Sequence, residues 1–333
     1  MTIVRRDVLA ALALTAAATT AAACGTSASG SETTTTLRYQ GSVGQVTPAE
    51  LAADLGYLGP VKLKWVGNTI SGPQDIQSAA TGQTDFGGAF NGAVIKLVQA
   101  GAPITAVVGY YGVDRQINNG FFVPADSKIR TVRDLVGKKI GMNTLGAHAE
   151  AVLDIYLQRN GFSPADIKKV EPVVVPPVST EQALRAHRID VGVLSGIFQE
   201  KAKAAGGLRE LFDDHQFLGD FTAGSYVFRK DFIKRNPATV RAFTTGVGKA
   251  VDWARTTPRD QVIQRFEQII RKRGRNEDTA ALKYWKSYGV GDPHGAIQDR
   301  EITTWITWLE QVGQIPKGKV KAADVYTNRF NGG

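Results

Sequence analysis

The sequence predicts a mixed α/β protein built as two similar lobes, on three observations. From Leu37 onward, short β-rich runs alternate with helical patterns, the signature of α/β architecture. The segment Ala79-Ala80-Thr81-Gly82-Gln83-Thr84-Asp85-Phe86-Gly87 is echoed by Leu184-Arg185-Ala186-His187-Arg188-Ile189-Asp190-Val191-Gly192. Each reads as helix end, turn, Asp and apolar strand. The length of 333 residues gives about two domains.

The first element is an address rather than part of the fold. Arg5 and Arg6 precede an apolar run over 8–23 that is too short and too alanine-rich to span a membrane comfortably. Residues 1–23 therefore read as a signal peptide. Arg5-Arg6-Asp7-Val8-Leu9 resembles a twin-arginine (Tat) export signal; the other reading is an ordinary basic n-region. Cys24 follows Ala21-Ala22-Ala23, and small residues before a Cys at this point resemble a bacterial lipobox. Ala21 stands where that motif usually has Leu, and the other reading is plain cleavage at an A-x-A site. A chain with one cysteine that keeps it here points to lipidation at Cys24. Residues 24–36, Ser/Thr/Gly-rich and without apolar periodicity, read as a flexible tether. The protein is thus expected outside the cytoplasm, at the cell membrane and lipid-anchored.

The first α/β series runs to Tyr111. Leu37-Arg38-Tyr39 is a strand ending in the turn Gln40-Gly41-Ser42-Val43-Gly44. Thr47, Pro48 and Glu50 form a capping box with Pro at the first helical position. A strand over 61–66 follows, and Ser71-Gly72-Pro73-Gln74 repeats the capping pattern before a helix over 74–81. Asp85-Phe86-Gly87 begins a strand, Asn91-Gly92 leads into a helix over 93–100, and 104–111 is strand-like.

The second series places strands at 119–123, 139–142, 170–175 and 191–194. Between them lie a short helix at 132–135, a helix over 147–160 ended by Gly161, and a helix capped by Ser179 and Gln182. After a last strand at Val227-Phe228 the chain turns helical, over 238–256, 260–272, 278–287 and 300–312. Trp305 and Trp308 fall on one face of the last helix, a core stripe.

Composition narrows the chemistry. Lys+Arg 40 against Asp+Glu 31 gives +9, spread along the chain. Arg271-Lys272-Arg273-Gly274-Arg275 reads as a solvated helix end, and no basic patch with interleaved aromatics points to nucleic acid. One cysteine allows neither an intrachain disulfide nor a cysteine-rich zinc site. His148, His187, His215 and His294 form no metal pair. No phosphate-binding loop or nucleophile elbow is present, and Gly87-Gly88-Ala89-Phe90-Asn91-Gly92 misses the dinucleotide pattern. No cofactor, no metal and no catalytic set is expected, so the chain reads as a non-enzyme.

Several segments together resemble one family. They include Tyr39-Gln40, Ser71-Gly72-Pro73-Gln74, Thr84-Asp85-Phe86-Gly87, Gly101-Ala102-Pro103-Ile104 and 134–140. Ala147-His148, Arg188-Ile189-Asp190, 228–232 and the C-terminal Trp308-Leu309-Glu310, Gly313-Gln314-Ile315-Pro316, Tyr326 and Arg329-Phe330 complete the set. In order and spacing they are similar to the substrate-binding proteins of ABC importers for nitrate, taurine, aliphatic sulfonates and thiamine precursors. The resemblance implies a two-lobed periplasmic-binding-protein type II fold with two hinge crossings and a C-terminal helical segment. Lobe 1 would be 34–112 plus 222–333, and lobe 2 would be 113–221. It implies a monomer that delivers a small anionic ligand to permease and ATPase subunits. Pyrimidine synthases of thiamine biosynthesis share the resemblance but rely on a cysteine-rich motif that this chain lacks.

In such a fold the ligand sits beyond the C-terminal strand ends, where helix N-termini gather and favour anions. The expected ligand-binding residues are Gln40 and Ser42, Asn91 and Gly92, Arg115, Thr144, Gly146, Ala147 and His148, and Ser195. Sulfonate binders tend to carry a hydroxyl where Gly146 stands and an aromatic at Ser195, so the ligand or the rim differs here. His148 either touches ligand or packs beneath the cleft. Arg115 is either a cleft cation or a solvated hinge residue. Tyr39, Tyr110 and Phe198 are either cleft aromatics or core.

Overall fold

Threonines and alternating apolar residues start the described chain. In the computed structural model, which describes residues 34–332, β1 (Thr36–Gly41) is followed by α1 (Pro48–Asp54), β2 (Lys62–Asn68), α2 (Gly72–Thr81), β3 (Phe86–Phe90), α3 (Asn91–Gln99) and β4 (Ile104–Val113). The expected signal peptide, Cys24 and tether residues 24–33 lie outside the described residues. Residues 34–36, read as the end of the tether, are built into lobe 1 instead. Thr34 N–H donates to Asn236 Oδ1 at 2.9 Å, Thr239 Oγ1 donates to the Thr34 carbonyl at 2.7 Å, and Thr36 pairs with Lys62. β-branched Thr suits such an extended edge.

The capping box of α1 forms as the spacing predicts: Thr47 Oγ1 accepts from Glu50 N–H at 3.3 Å, and Glu50 Oε2 accepts from Thr47 N–H at 3.1 Å. Ser71 caps α2 through Gln74 N–H, and the helix begins at Gly72, two residues before the expected start.

The second series comprises β5 (Asn119–Pro124), a 3-10 turn at Val132–Leu135, β6 (Lys139–Met142), α4 (His148–Arg159), α5 (Pro164–Ile167), β7 (Glu171–Val174), α6 (Pro177–Arg185), β8 (Val191–Ser195), α7 (Gly196–Ala205), β9 (Leu208–Asp213) and α8 (His215–Leu218). The chain returns through β10 (Phe221–Arg229). It finishes with α9 (Lys230–Arg235), α10 (Pro237–Thr256), α11 (Arg259–Arg273), 3-10 turns at Ala280–Tyr284 and Pro293–Gly295, α12 (Arg300–Gln311) and α13 (Ala322–Val325). Ser179 does not cap α6: Pro177 starts the helix two residues earlier, at the position where a missing N–H costs nothing. The expected helix over 278–287 is only the short 3-10 turn. The Lys283 and Trp285 carbonyls accept from the Arg259 guanidinium, which ends the helical ladder there.

Lobe 1 holds the parallel pair β1-β2 and the sheet β3-β10-β4, while lobe 2 holds the sheet β7-β6-β8-β5-β9. The chain leaves lobe 1 on β4 and re-enters on β10. These two strands are antiparallel neighbours, with Phe221 opposite Val113 and Thr222 opposite Gly112. Gly112 permits that approach, since a Cβ there would fall 2.2 Å from the Phe221 carbonyl oxygen.

The internal echo has a structural meaning. Asp85 N–H donates to the Arg38 carbonyl and its Oδ2 accepts from Arg38 N–H, at 2.9 and 2.7 Å. Asp190 makes the same exchange with Lys139, at 3.0 and 2.9 Å. Each Asp thereby ties the head of its strand to the neighbouring one. Gly82 and His187, equivalent in the echo, both take positive φ, 82° and 52°.

Trp305 and Trp308 are fully buried, as their helical spacing predicts. Trp308 Nε1–H donates across the lobes to Asp154 Oδ2 on α4 at 3.0 Å. Ile197 of α7 packs into the other main core of lobe 1. The Lys286–Glu200 ion pair, 2.6 Å, adds a third inter-lobe contact.

Candidate functional site

Both lobes turn the same kind of edge toward each other. In lobe 1 the turns after β1 and before α2, and the crossing strand β4, face the gap; in lobe 2 the turns after β6 and β8 face it. A cavity of about 210 Å³ lies between them. Lobe 1 contributes Gly72, Phe90, Tyr110 and Tyr111, and lobe 2 contributes Asn119, Asn143, Thr144, Ala147, His148 and Ser195. Two pockets adjoin it, one of about 340 Å³ that includes Ser42 and Ser195, and one of about 150 Å³ that includes Gln40 and Ser42. Tyr110 borders all three, so they form one branched cleft.

Six of the ten expected ligand residues line this cleft: Gln40, Ser42, Thr144, Ala147, His148 and Ser195. Gly146 sits beside it, with φ at 66° and its N–H donating to Glu150 Oε2 at 2.5 Å. That donor is therefore already in use. The remaining first turn of α4 has no side-chain cap, and Ala147, His148 and Ala149 border the cavity. Uncapped first-turn N–H groups of this kind favour an anion.

Three expected residues lie elsewhere. Asn91 is buried in lobe 1, where Nδ2 donates to the Thr222 and Glu301 carbonyls and Oδ1 accepts from Ser225 Oγ. Gly92 is packed under the Phe90 ring, 2.3 Å from where a Cβ would stand. β3 runs into α3 without an intervening residue, so this helix start is tucked inside the lobe. Arg115 lies off these three pockets, on a depression of about 530 Å³ that shares Trp285, Lys286, Ser287 and Tyr288 with the 340 Å³ pocket. The chain turns away after β4 because the Asp114 carboxylate accepts from Gln116 and Ile117 N–H at 2.7 and 2.9 Å.

His148 serves mainly as a wedge between lobes, although it also borders the cavity. Its ring stacks on Phe90 at 5.3 Å and meets the edge of Trp305 at 5.6 Å. On the other side Nε2 is 3.3 Å from Asp214 Oδ2 and Nδ1 is 3.5 Å from Asn119 Nδ2. Burial pushes the imidazole down to about 3 and the Asp214 carboxyl up to about 7, so His148 is neutral at physiological pH.

The aromatics divide less cleanly than the alternatives stated for them. Tyr39 is buried and donates its hydroxyl to Glu50 Oε1 at 2.8 Å, yet it borders the smallest pocket. Tyr110 stacks on Tyr226 at 4.3 Å and also faces the cleft, as does Phe198. Tyr111, Asn119, Asn143 and Asp75 went unpredicted. Asn143 follows the C-terminal end of β6, so the strand-end rule could have found it. Asn119 opens an antiparallel strand and left no such signal.

The 210 Å³ cavity is lined by hydroxyls, amides and aromatic rings, and His148 is neutral. It suits a small polar molecule held by uncharged donors. Among the described residues no cluster of His, Cys, Asp and Glu could hold a metal ion, and no helix is long and apolar enough to cross a membrane.

Comparison with known proteins agrees with this architecture. The periplasmic aliphatic sulphonate binding protein SsuA from Escherichia coli is similar at 22% identity and TM-score 0.65, covering 87% of this chain and 91% of its own. The alkanesulfonate-binding protein SsuA from Xanthomonas axonopodis pv. citri, bound to MOPS, gives 22% and 0.67, with 89% and 99% covered. The periplasmic nitrate-binding protein NrtA from Synechocystis PCC 6803 gives 14% and 0.68, with 89% and 87% covered. These likenesses show the two-lobed periplasmic-binding-protein fold. A search of curated proteins by sequence found no match. The family described as NMT1/THI5 like matches residues 46–261, which is more than half of the sequence, and the chain belongs to that family.

Proposed function

We propose that this protein is the extracytoplasmic substrate-binding lipoprotein of an ABC importer. It captures a small organic anion, a sulfonate or carboxylate, between its lobes and delivers it to permease and ATPase subunits. The observation that carries this is the branched cleft at the junction of two lobes joined by adjacent strands. Its walls place uncharged donors on both sides: Ser42 and Gln40 on one lobe, Asn143, Thr144 and Ser195 on the other. The anionic end of the ligand lies at the uncapped first turn of α4, beside Thr144 and Ser195. The sulfonate- and nitrate-binding neighbours support the choice of ligand class. The lone Cys24 after three alanines supports lipid anchoring, with residues 1–23 removed on export and Arg5-Arg6 directing it.

The test is a thermal-shift screen of sulfonates, carboxylates, nitrate, amino acids and pyrimidines. A ligand at a hundred times its Kd stabilises the folded state by about 2.7 kcal/mol. At roughly 2–4 °C per kcal/mol for a protein of this size, the midpoint rises by several degrees. Anions that shift the midpoint without being turned over support the reading. Shifts by neutral or cationic compounds alone contradict the anion, and turnover contradicts the transport role.

A further inference from the structure

A carboxyl group is buried beside the cleft that is read as an anion site. Asp75 lies in the first turn of α2 and is only 7% exposed, and Gly72 and Pro73 at the start of the same helix line the 210 Å³ cavity. Asp75 borders the 150 Å³ pocket, which shares Gly72, Tyr110 and Asn143 with that cavity. Its Oδ2 accepts from Gly88 N–H at 2.7 Å, while Oδ1 is buried with no hydrogen-bond partner. The titratable groups that face it are Tyr110 of β4 and Tyr226 of β10, with Tyr39 of β1 on the same pocket; burial raises all three phenols, so all are neutral. β3 carries no titratable residue, and Lys96 of α3 reaches to Gly146 instead, 2.9 Å from where a Cβ would stand there. From lobe 2, residues 143–147 carry no titratable side chain and His148 is neutral.

Neither of these two pockets is lined by Lys or Arg. An anion at the first turn of α4 and an ionised Asp75 would therefore put two like charges into one desolvated cleft with no cation lining it. Two such charges do not both persist; the group that can take a proton takes it. A sulfonate stays ionised at any physiological pH. Asp75 is the group poised to change, because burial pushes its carboxyl up to about 7. The anion's charge acts in the same direction and raises it further.

We propose that the cleft takes up a solvent proton together with its anion, and that Asp75 is the residue that receives it. This rests on the reading of the cleft as an anion site and adds a charge rule to it. Ligand-free protein with Asp75 ionised, one anion and one proton become anion-bound protein with Asp75 neutral. Affinity is then full below the ligand-free pKa of Asp75 and is lost as pH rises toward the higher pKa of the bound state. The protein holds its ligand on the acidic side of neutrality and gives it up more readily on the alkaline side.

Titration calorimetry on the full mature protein tests it with ethanesulfonate and pyruvate, which both stay ionised throughout the range used. Kd is measured between about pH 5.5 and about pH 8.5, and proton uptake near pH 7.5 in sulfonate-free buffers of different ionisation enthalpy. The wild type binds about tenfold more weakly at the alkaline end and takes up about half a proton or more per anion. Asp75→Asn keeps the shape, an oxygen for Gly88 N–H and the neutral charge of the bound state. It abolishes the uptake and binds at about pH 8.5 within about threefold of the wild type at about pH 5.5. The wild-type uptake decides even where the variant folds poorly. Anion binding with no proton uptake overturns the proposal and leaves the anion reading intact. So does an uptake that survives Asp75→Asn, which places the proton on the buried Asp214–His148 pair. No binding of either anion at about pH 5.5, where the proposal makes binding tightest, overturns both.

Discussion

Acidification should stabilise this protein before it denatures it. Burial raises three aspartates: Asp75 and Asp214 to about 7 and Asp154 to about 6. An unfolded Asp titrates near about 3.9, so in this window the folded state binds more protons, and stability rises as pH falls. Going from about pH 7.5 to about pH 5.5, a carboxyl at about 7 contributes roughly 2 kcal/mol and one at about 6 roughly 1 kcal/mol. Burial also raises Glu210 and Glu301, with the same sign. His148 opposes them. Its folded pKa is about 3, so over the same window the unfolded imidazole takes up the proton and the cost is between about 1 and 2 kcal/mol. The 3.3 Å contact of His148 with Asp214 makes those two titrate as a pair, so the total proton count is the observable. The net is a gain of about 3 kcal/mol. Urea unfolding of ligand-free protein at both pH values and fixed ionic strength measures it. Asp75→Asn should cut the gain to about 1 kcal/mol. Stability that falls on acidification, or an unchanged gain in Asp75→Asn, would refute the reasoning.

Three other outcomes are expected. His187→Gly relieves a non-glycine residue at φ 52° and should raise stability by about 0.5–1 kcal/mol, visible as a higher thermal midpoint; an unchanged or lower midpoint contradicts the left-handed strain assigned to it. Lys286→Glu sets two carboxylates against each other at the Glu200 contact. It should enlarge the ligand-free radius of gyration in small-angle scattering and weaken apparent affinity in proportion to the closed population lost; an unchanged radius argues against closure through this contact. Cys24→Ala should move the protein from the membrane to the soluble fraction, and a mutant that stays bound, or a wild type already soluble, rejects lipidation.

Much of the fold was legible because local signals and tertiary demands coincide. The Thr47–Glu50 box, the 139–142 strand and the Asp85/Asp190 echo are short-range patterns that the structure uses as written. α7 and β9 were missed for opposite reasons. α7 opens directly from β8 with no capping side chain, and Leu208-Arg209-Glu210-Leu211-Phe212-Asp213 lacks clean alternation yet pairs with β5. The 278–287 helix failed because Arg259, distant in sequence, takes its carbonyls. The cleft divides along the same line. Ser42, Thr144 and Ser195 follow from strand ends. Asn91 and Arg115 lie off the three pockets because an absent loop and an aspartate turn redirect them, and the orphaned Asp75 oxygen exists only once β3 packs on α2.

The central claim is that the inter-lobe cleft holds a small organic anion without transforming it. Native mass spectrometry of protein purified from its own host tests this most directly. The account predicts a mass excess from one small molecule, released unchanged on denaturation, anionic, and reduced or absent in a Thr144→Val/Ser195→Ala double variant. A released molecule that is neutral or cationic, that is a reaction product, or that persists undiminished in the double variant would contradict it.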